Sequence, residues 1–346
     1  MRSRTRRSAW RGWLIGVLVL IPVLWIGYWY AAEQIATAAI DRATGRPVAG
    51  GRIACTGRSL GGFPLRIDFG CTRAAYGDGP EGGGEKVSAA LGGGLQASAP
   101  LYQPGRVEAT LTGPFVVNAP GFGIAITTNW SAADTSATAG LGGLESAAAT
   151  FHSLDFSSRG AASLPVTALS ATLAEASADP VGGNAYRFFA KAQDLKLVRA
   201  NGNAVPSIDG SVDVKALDFG SSLGTDPRAA LKAWAKAGGT LQVNHLRLAA
   251  DGAIANADGQ LALAANGLIS GKLNVRFSNP QAFVALAEAI KPGAAREAGR
   301  ILAVLQALTI PVNTPDGPAR QTTVVINNGL VAIGILPVGF IPPIRF

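Results

Sequence analysis

The sequence has 346 residues, with 30 Lys and Arg against 22 Asp and Glu, and hydrophobic residues make up 48% of it. Charged residues are only 15% of the chain, and it contains two cysteines and two histidines. Five arginines precede Gly12 and no acid does, so the remainder of the chain is nearly neutral. This balance excludes the broad basic surface of a nucleic-acid-binding protein.

The N-terminus has the pattern of a membrane anchor. A basic tail, residues 1–11, precedes an uncharged stretch, residues 12–32, which as a helix would cross roughly 30 Å of hydrocarbon. Aromatic residues cluster at both ends of this stretch, as in interfacial belts: Trp10, Trp13, Trp25, Tyr28, Trp29 and Tyr30. Because arginines favour the cytoplasmic side, we expect a single-pass inner-membrane protein with a cytoplasmic N-terminus and a periplasmic β-rich domain, residues 33–346. A cleaved signal peptide is the alternative, since Ala36-Thr37-Ala38 has the small-x-small form of a cleavage site.

Both cysteines bracket one short segment, Cys55–Cys71. Gly61 and Gly62 allow a turn before Phe63 and Pro64, and the next residues alternate between apolar and charged, as in a half-buried strand. A turn here would bring Cys55 beside Cys71, and an oxidising periplasm would favour a disulfide between them. Two unconnected buried thiols are the alternative.

Beyond residue 100 the dominant pattern is short alternating strands separated by Asx-Gly turns, which predicts a long antiparallel meander. The predicted strands are 106–111, 115–118, 123–130, 186–198, 211–217, 240–248, 260–264, 272–277 and 322–326. The predicted turns include Asp209-Gly210, Asp251-Gly252, Asp258-Gly259 and Asn328-Gly329. Three helices are expected after the strand at 211–217, at 228–237, 281–290 and 294–308, and the last two should cap one end of the sheet. The predicted fold class is therefore mainly β: an antiparallel meander curled around an apolar face, a few capping helices and one N-terminal transmembrane helix.

Catalytic and metal-binding patterns are missing from the sequence. His152 and His245 are far apart, with no carboxylate at ligand spacing near either, and no nucleophile elbow or phosphate-binding loop occurs. We therefore expect no cofactor, no metal and no enzymatic activity.

The segment around the cysteines resembles the family known as domain of unknown function 2125. The matching residues are Cys55, Ser59, Gly61, Gly62, Phe63, Pro64, Arg66 and Cys71. The order of anchor, hairpin, β-rich body and proline-containing C-terminus is also similar over nearly the whole chain. Leu65 stands where an aromatic residue is expected. The resemblance implies a bacterial membrane-anchored periplasmic protein without an established activity.

A second stretch, residues 259–280, resembles repeats of AsmA-like envelope proteins, which implies lipid handling in the cell envelope. The apolar composition favours the same class of function, because a broad sheet with one apolar side must cover it with helices, a partner or a ligand. The leading hypothesis is an envelope protein that binds or shields lipid acyl chains on an apolar sheet face. The alternative is a scaffolding protein that pairs with other envelope proteins through its sheet edges.

Overall fold

A computed structural model describes residues 6–45, 52–77, 88–103, 105–120, 123–140, 143–160, 166–199, 205–222, 227–290, 293–315 and 317–344. Four helices and one large antiparallel sheet make up this part of the chain. The glycine-rich segment 78–87 and Asp226, which precedes the second helix, lie outside the described residues.

The first helix, α1 (Arg6–Gly45), runs unbroken through Pro22 and beyond the predicted end of the anchor at residue 32. Its exposed side chains include Leu20, Ile21, Val23 and Leu24, whereas the side chains before Leu20 and residues 1–5 of the basic tail are outside the described part. Over the residues described, none of the helices reaches the combination of length and hydropathy needed to cross a membrane.

Between residues 132 and 278 the sheet is a meander in which each strand pairs with the next along the chain, as the sequence predicted. Its strands are β1 (Arg52–Thr56), β2 (Ser59–Gly61), β3 (Arg66–Cys71), β4 (Arg73–Gly77), β5 (Ser88–Leu91), β6 (Leu95–Pro100), β7 (Arg106–Leu111), β8 (Phe115–Ala119), β9 (Ile124–Asn129), β10 (Ala132–Gly140), β11 (Gly143–Arg159), β12 (Val166–Pro180), β13 (Tyr186–Arg199), β14 (Ile208–Leu217), β15 (Thr240–Ala250), β16 (Ala253–Leu263), β17 (Ile269–Ser278), β18 (Ile310–Thr314), β19 (Gly317–Asn327), β20 (Leu330–Ile333) and β21 (Leu336–Phe340).

The eight strands from β3 to β10 are halves of longer ones. The two members of each of the pairs β3–β4, β5–β6, β7–β8 and β9–β10 follow one another nearly without a break. Each member forms backbone hydrogen bonds with one member of the next pair, for example β3 with β6 and β4 with β5. The interruptions fall side by side at residues 72, 92–94, 112–114 and 130–131, and we call this line the crease. Hydrogen bonds bridge it, from Gly92 N–H to Pro114 O (2.7 Å) and from Thr112 N–H to Gly94 O (3.0 Å). Backbone polar groups therefore stay paired where the regular ladder stops.

The three later helices are α2 (Pro227–Lys236), α3 (Pro280–Ile290) and α4 (Ala295–Leu308), within a residue of their predicted bounds. Proline opens α2 and α3, at a position where the missing N–H has no helical partner to lose. The hairpin turns Asp251-Gly252 and Asn328-Gly329 are confirmed, with positive φ at both residues of each turn.

Two predicted turns are wrong. Asp209-Gly210 lies inside β14, where an oxygen of the Asp209 side chain accepts a hydrogen bond from the Asp194 backbone N–H at a bulge of β13 (2.7 Å). Asp258-Gly259 lies inside β16, where Asp258 forms an ion pair with Arg276 of the adjacent strand. In both cases the aspartate side chain binds a group on the neighbouring strand and does not form a turn.

The register gives the sheet two chemically different faces. Because successive residues of a strand point to opposite sides, cross-strand partners share a face. One row of partners, the polar row, reads Ser59, Gly70, Gln96, Thr110, Asp134, Thr150, Glu175, Lys191, Ser211, Arg247, Asn256, Arg276, Gln321. The adjacent row, the apolar row, reads Leu60, Phe69, Ala97, Ala109, Thr135, Ala149, Ala176, Ala190, Val212, Leu246, Ala257, Val275, Thr322.

Helices cover the apolar face at two separate places. Leu286 of α3 packs with Ile208 and Ala250, whereas Trp234 of α2 packs with Ala216 and Leu263. Ile208 and Ala216 are both on β14 and share a face, so at about 3.3 Å per residue the two covers lie roughly 27 Å apart. Between them runs the apolar row, where Leu246 is 40% exposed. Among the described residues, the side chains buried under these helices thus form two separate clusters on the apolar face, with the exposed Leu246 between them.

Candidate functional site

The cysteine-bracketed segment forms a hairpin of β2 and β3, as expected. Gly62 takes φ +101°, and its carbonyl accepts a hydrogen bond from Arg66 N–H (3.2 Å), which closes the turn through Phe63 and Pro64. The left-handed backbone explains a glycine at position 62, because a side chain there would be strained. Ser59 lies opposite Gly70 in the register.

The predicted disulfide is confirmed. Cys55 of β1 and Cys71 of β3 are bonded, with their Cα atoms 5.7 Å apart and 16 residues apart in sequence. Closing a loop of this length contributes roughly 3 kcal/mol to stability in the chain-entropy model. The bond lies at the crease, beside the Thr72 N–H that bonds to Thr56 O (3.0 Å). It therefore fixes β1 to the hairpin where the strand ladder is interrupted.

The same hairpin also forms hydrogen bonds with α1. The indole N–H groups of Trp25 and Trp29 donate hydrogen bonds to Pro64 O (2.8 Å) and to Arg66 O (3.0 Å). The ring of Trp29 also packs edge-on against Phe63, with ring centroids 5.3 Å apart. The sequence indicated an interfacial belt for these tryptophans, and it gave no sign that they bind the Phe63–Pro64 turn.

A polar basin of about 870 Å³ lies on the side of the sheet that carries the polar row. Four residues of the family motif line it: Ser59, Gly61, Gly62 and Arg66. Two ion pairs lie within its strands, Arg66 with Asp68 (2.8 Å) and Arg106 with Glu108 (2.7 Å). Exposed pairs of this kind contribute little to stability. A further carboxylate of the lining, Asp134, accepts a hydrogen bond from the Thr110 hydroxyl (3.2 Å), so the basin is hydrophilic and has one more negative than positive charge.

An apolar cavity of about 280 Å³ lies between α2 and the sheet. All of its lining residues are hydrophobic, among them Phe188, Leu231, Trp234, Leu241 and Leu263. The one N–H of these side chains, on Trp234, donates to Leu217 O (2.7 Å) and is therefore satisfied within the protein. Such a cavity can hold an aliphatic chain and offers no partner to a polar ligand.

Titratable groups on the polar face form structural pairs. The Arg187 guanidinium donates two hydrogen bonds to Asp213 (2.9 and 2.6 Å), which lowers the pKa of that carboxyl below its ordinary value, and Asn244 adds a further bond. Hydrogen bonds from Ser207 and Lys196 lower the pKa of Asp194 in the same way. Both carboxylates are thereby held ionised, which suits an ion pair and not a general acid.

Metal-ligand geometry is missing from the part of the chain that the structure describes, where no three His, Cys, Asp or Glu residues could hold one ion. The two histidines lie on separate strands, His152 on β11 and His245 on β15. His245 stands opposite Asp213 in the register.

Comparison with known proteins identifies the family. The model of the family described as "Uncharacterized protein conserved in bacteria (DUF2125)" matches residues 28–342. The chain belongs to the DUF2125 family. No curated protein and no solved structure matches this DUF2125 protein. The resemblance to AsmA-like envelope proteins is not shown by these comparisons.

Sequence reasoning missed the apolar cavity of the DUF2125 protein. Phe188, Phe219 and Trp234 come from three separate elements and pack edge to face, with the Phe219 ring centroid 5.5 Å from that of Phe188 and 5.6 Å from that of Trp234. The available signal was the amphipathic pattern of α2, a helix for which the sequence predicted bounds and no role.

Proposed function

We propose that this DUF2125 protein is anchored in the inner membrane by α1 and uses the apolar face of its periplasmic sheet to hold or shield lipid acyl chains. It does so without a cofactor and without catalysis. The anchor is supported by the uncharged stretch 12–32, flanked by arginines before it, and by the apolar side chains that α1 exposes at Leu20, Ile21 and Leu24.

The observation that carries the proposal is the wholly apolar cavity under α2. Its volume of about 280 Å³ is close to the lower end of the roughly 300–1,000 Å³ of small-molecule sites. Each methylene group that moves from water into such a site gains about 0.8 kcal/mol. A chain of several methylenes would therefore bind favourably without any polar contact.

The apolar row supplies the continuation of this site. It passes between α2 and α3 and is partly exposed there, at Leu246 and Ala176. Its small side chains, chiefly alanine, leave room for a ligand that lies flat on the sheet. An apolar surface of this extent in an aqueous compartment favours an occupant.

The test uses the full chain purified in a non-ionic detergent. Native mass spectrometry and lipid extraction should find phospholipid or fatty acid at a defined ratio. Leu241→Phe adds bulk inside the cavity and should reduce the retained lipid, whereas the matched change Leu248→Phe, in the cluster under α3, should not. Equal lipid in both variants, or none in the unaltered chain, would overturn the proposal, because lipid held only around α1 would not respond to position 241.

One observation favours scaffolding as a second candidate function. Among the described residues, β21 pairs only with β20, so its other edge is unpaired. Leu336 and Phe340 on this strand are exposed, and Ile335 precedes it in the turn. An exposed, apolar edge strand is a template for strand addition by another protein. Charged substitutions at Leu336 and Phe340 would abolish such pairing and leave lipid retention unchanged.

A further inference from the structure

Three exposed apolar side chains of the sheet domain lie together beside α1. Phe63 is 55% exposed, Leu65 59% and Tyr102 70%. Leu65 and Tyr102 are brought close by the hydrogen bond from Leu101 N–H to Leu65 O (3.0 Å). We call these three residues the apolar tip. In water the tip would be an unfavourable exposed patch, which calls for an occupant.

Hydrogen bonds hold the apolar tip at one position along the axis of α1. Trp25 and Trp29 are one helical turn apart, about 6 Å along the axis. Both indoles bond to the turn at once, Trp25 to Pro64 O (2.8 Å) and Trp29 to Arg66 O (3.0 Å). A third bond, from the Tyr28 hydroxyl to Leu101 O (3.3 Å), ties in the loop that carries Tyr102.

The end of the uncharged stretch of α1 indicates how far along this helix a bilayer would extend. It ends at Ala32, so Trp25 and Trp29 lie about 10 and 5 Å before its end at 1.5 Å per residue. A bilayer that covers this stretch would therefore extend at least to the level of the tip. The charged residues of α1 that follow this stretch lie farther from the bilayer than the tip does. Asp41, which forms an ion pair with Arg58 (2.6 Å), is about 18 Å beyond Trp29 along the helix axis.

We propose that the apolar tip inserts into the outer-leaflet interface of the bilayer that holds α1, so that the disulfide-braced hairpin seats the sheet domain on the membrane. The partner is a phospholipid surface. Aromatic rings such as Phe63 and Tyr102 suit the interface, and the exposed Arg66 guanidinium beside them can reach phosphate groups. The inference rests on the proposed anchoring by α1 and is independent of acyl-chain binding at the cavity.

The test places an environment-sensitive fluorophore on the full chain in vesicles of phosphatidylcholine and phosphatidylglycerol. Both native cysteines are in the disulfide, so Leu65→Cys provides a labelling site. Ile310→Cys is the matched control, because Ile310 is equally exposed (62%) and lies on a strand at the opposite end of the sheet. We expect a blue-shifted emission at position 65 that lipids with a shallow spin label quench, and a water-like emission at position 310.

Flotation separates the two ways in which the inference can fail. Chain that floats with the vesicles but has a water-like label at position 65 would overturn the seating of the tip and leave the anchor intact. Chain that does not float would overturn both. Neither result bears on lipid retention by the cavity, which the Leu241→Phe variant measures.

Discussion

Gly94 lies on the crease, beside the backbone of residues 71 and 72. Its φ is +83°, and an added Cβ would overlap the Cys71 carbonyl oxygen and come within 2.7 Å of the carbonyl carbon of Thr72. Both neighbours are backbone atoms next to the disulfide and have little freedom to move. Only glycine, whose side chain is a single hydrogen atom, therefore fits at position 94 of the crease.

We expect Gly94→Ala to lower the free energy of unfolding by about 1–3 kcal/mol, because the left-handed backbone and the overlap both penalise a side chain. Gly61→Ala, in the adjacent hairpin, is the matched control, since Gly61 has no positive φ and nothing within 4 Å of an added Cβ. Urea unfolding followed by circular dichroism measures both. Equal stability of the two variants would show that the crease tolerates a Cβ.

Single residues were predictable where the chemistry is local. The pairing of Cys55 with Cys71 followed from their position around one turn. The hydrogen bonds of Trp25 and Trp29 did not, because a tryptophan near the end of an apolar helix satisfies the same pattern whether its N–H meets lipid or a protein carbonyl.

At the scale of elements, α3 and α4 are joined by one carboxylate. The oxygens of Glu288 accept hydrogen bonds from Gly293 N–H and Ala295 N–H, each 2.8 Å long. These bonds lower the pKa of Glu288 below its ordinary value of 4.5. A side chain of α3 thus satisfies backbone donors at the start of α4.

The depressed pKa predicts a pH dependence. The folded protein binds fewer protons than the unfolded chain near Glu288, so this contribution is fully present above pH 4.5 and is lost as the pH falls below that value. Glu288→Gln should reduce stability at pH 7 and flatten the acid side of the stability profile, whereas Glu297→Gln, on the first turn of α4, is the control. If the free energy of unfolding of Glu288→Gln fell as steeply below pH 4.5 as that of the unaltered chain, this role of Glu288 would be contradicted.

Elements were predictable where turn chemistry and periodicity agree, as in α2, α3 and the hairpin at Asn328-Gly329. The two longest strands, β11 and β12, were missed. They are rich in alanine and serine, which have little strand preference, and only the neighbouring strands hold them extended. Their alanines are the centre of the apolar row, so the missed strands are part of the candidate site.

At the scale of the whole molecule, the sheet separates polar and apolar side chains along two adjacent rows that run from β2 to β19. The polar row continues from the basin at Ser59 to Gln321, and the apolar row runs beside it on the other face from Leu60 to Thr322. The sequence indicated a meander and an apolar face. It could not indicate which residues align across strands, because the register depends on bulges such as those near Asp194 and Asn244.

The most direct measurement is photo-crosslinking in membranes that contain the full chain, with a fatty acid that carries a diazirine at its terminal carbon. After digestion, we expect labelled peptides from the cavity and the apolar row, including those with Trp234, Leu241 and Leu246. Peptides from α1 serve as an internal comparison for contact with the bilayer itself. Label confined to α1, with none on the peptides that contain Trp234, Leu241 or Leu246, would contradict acyl-chain binding by the sheet.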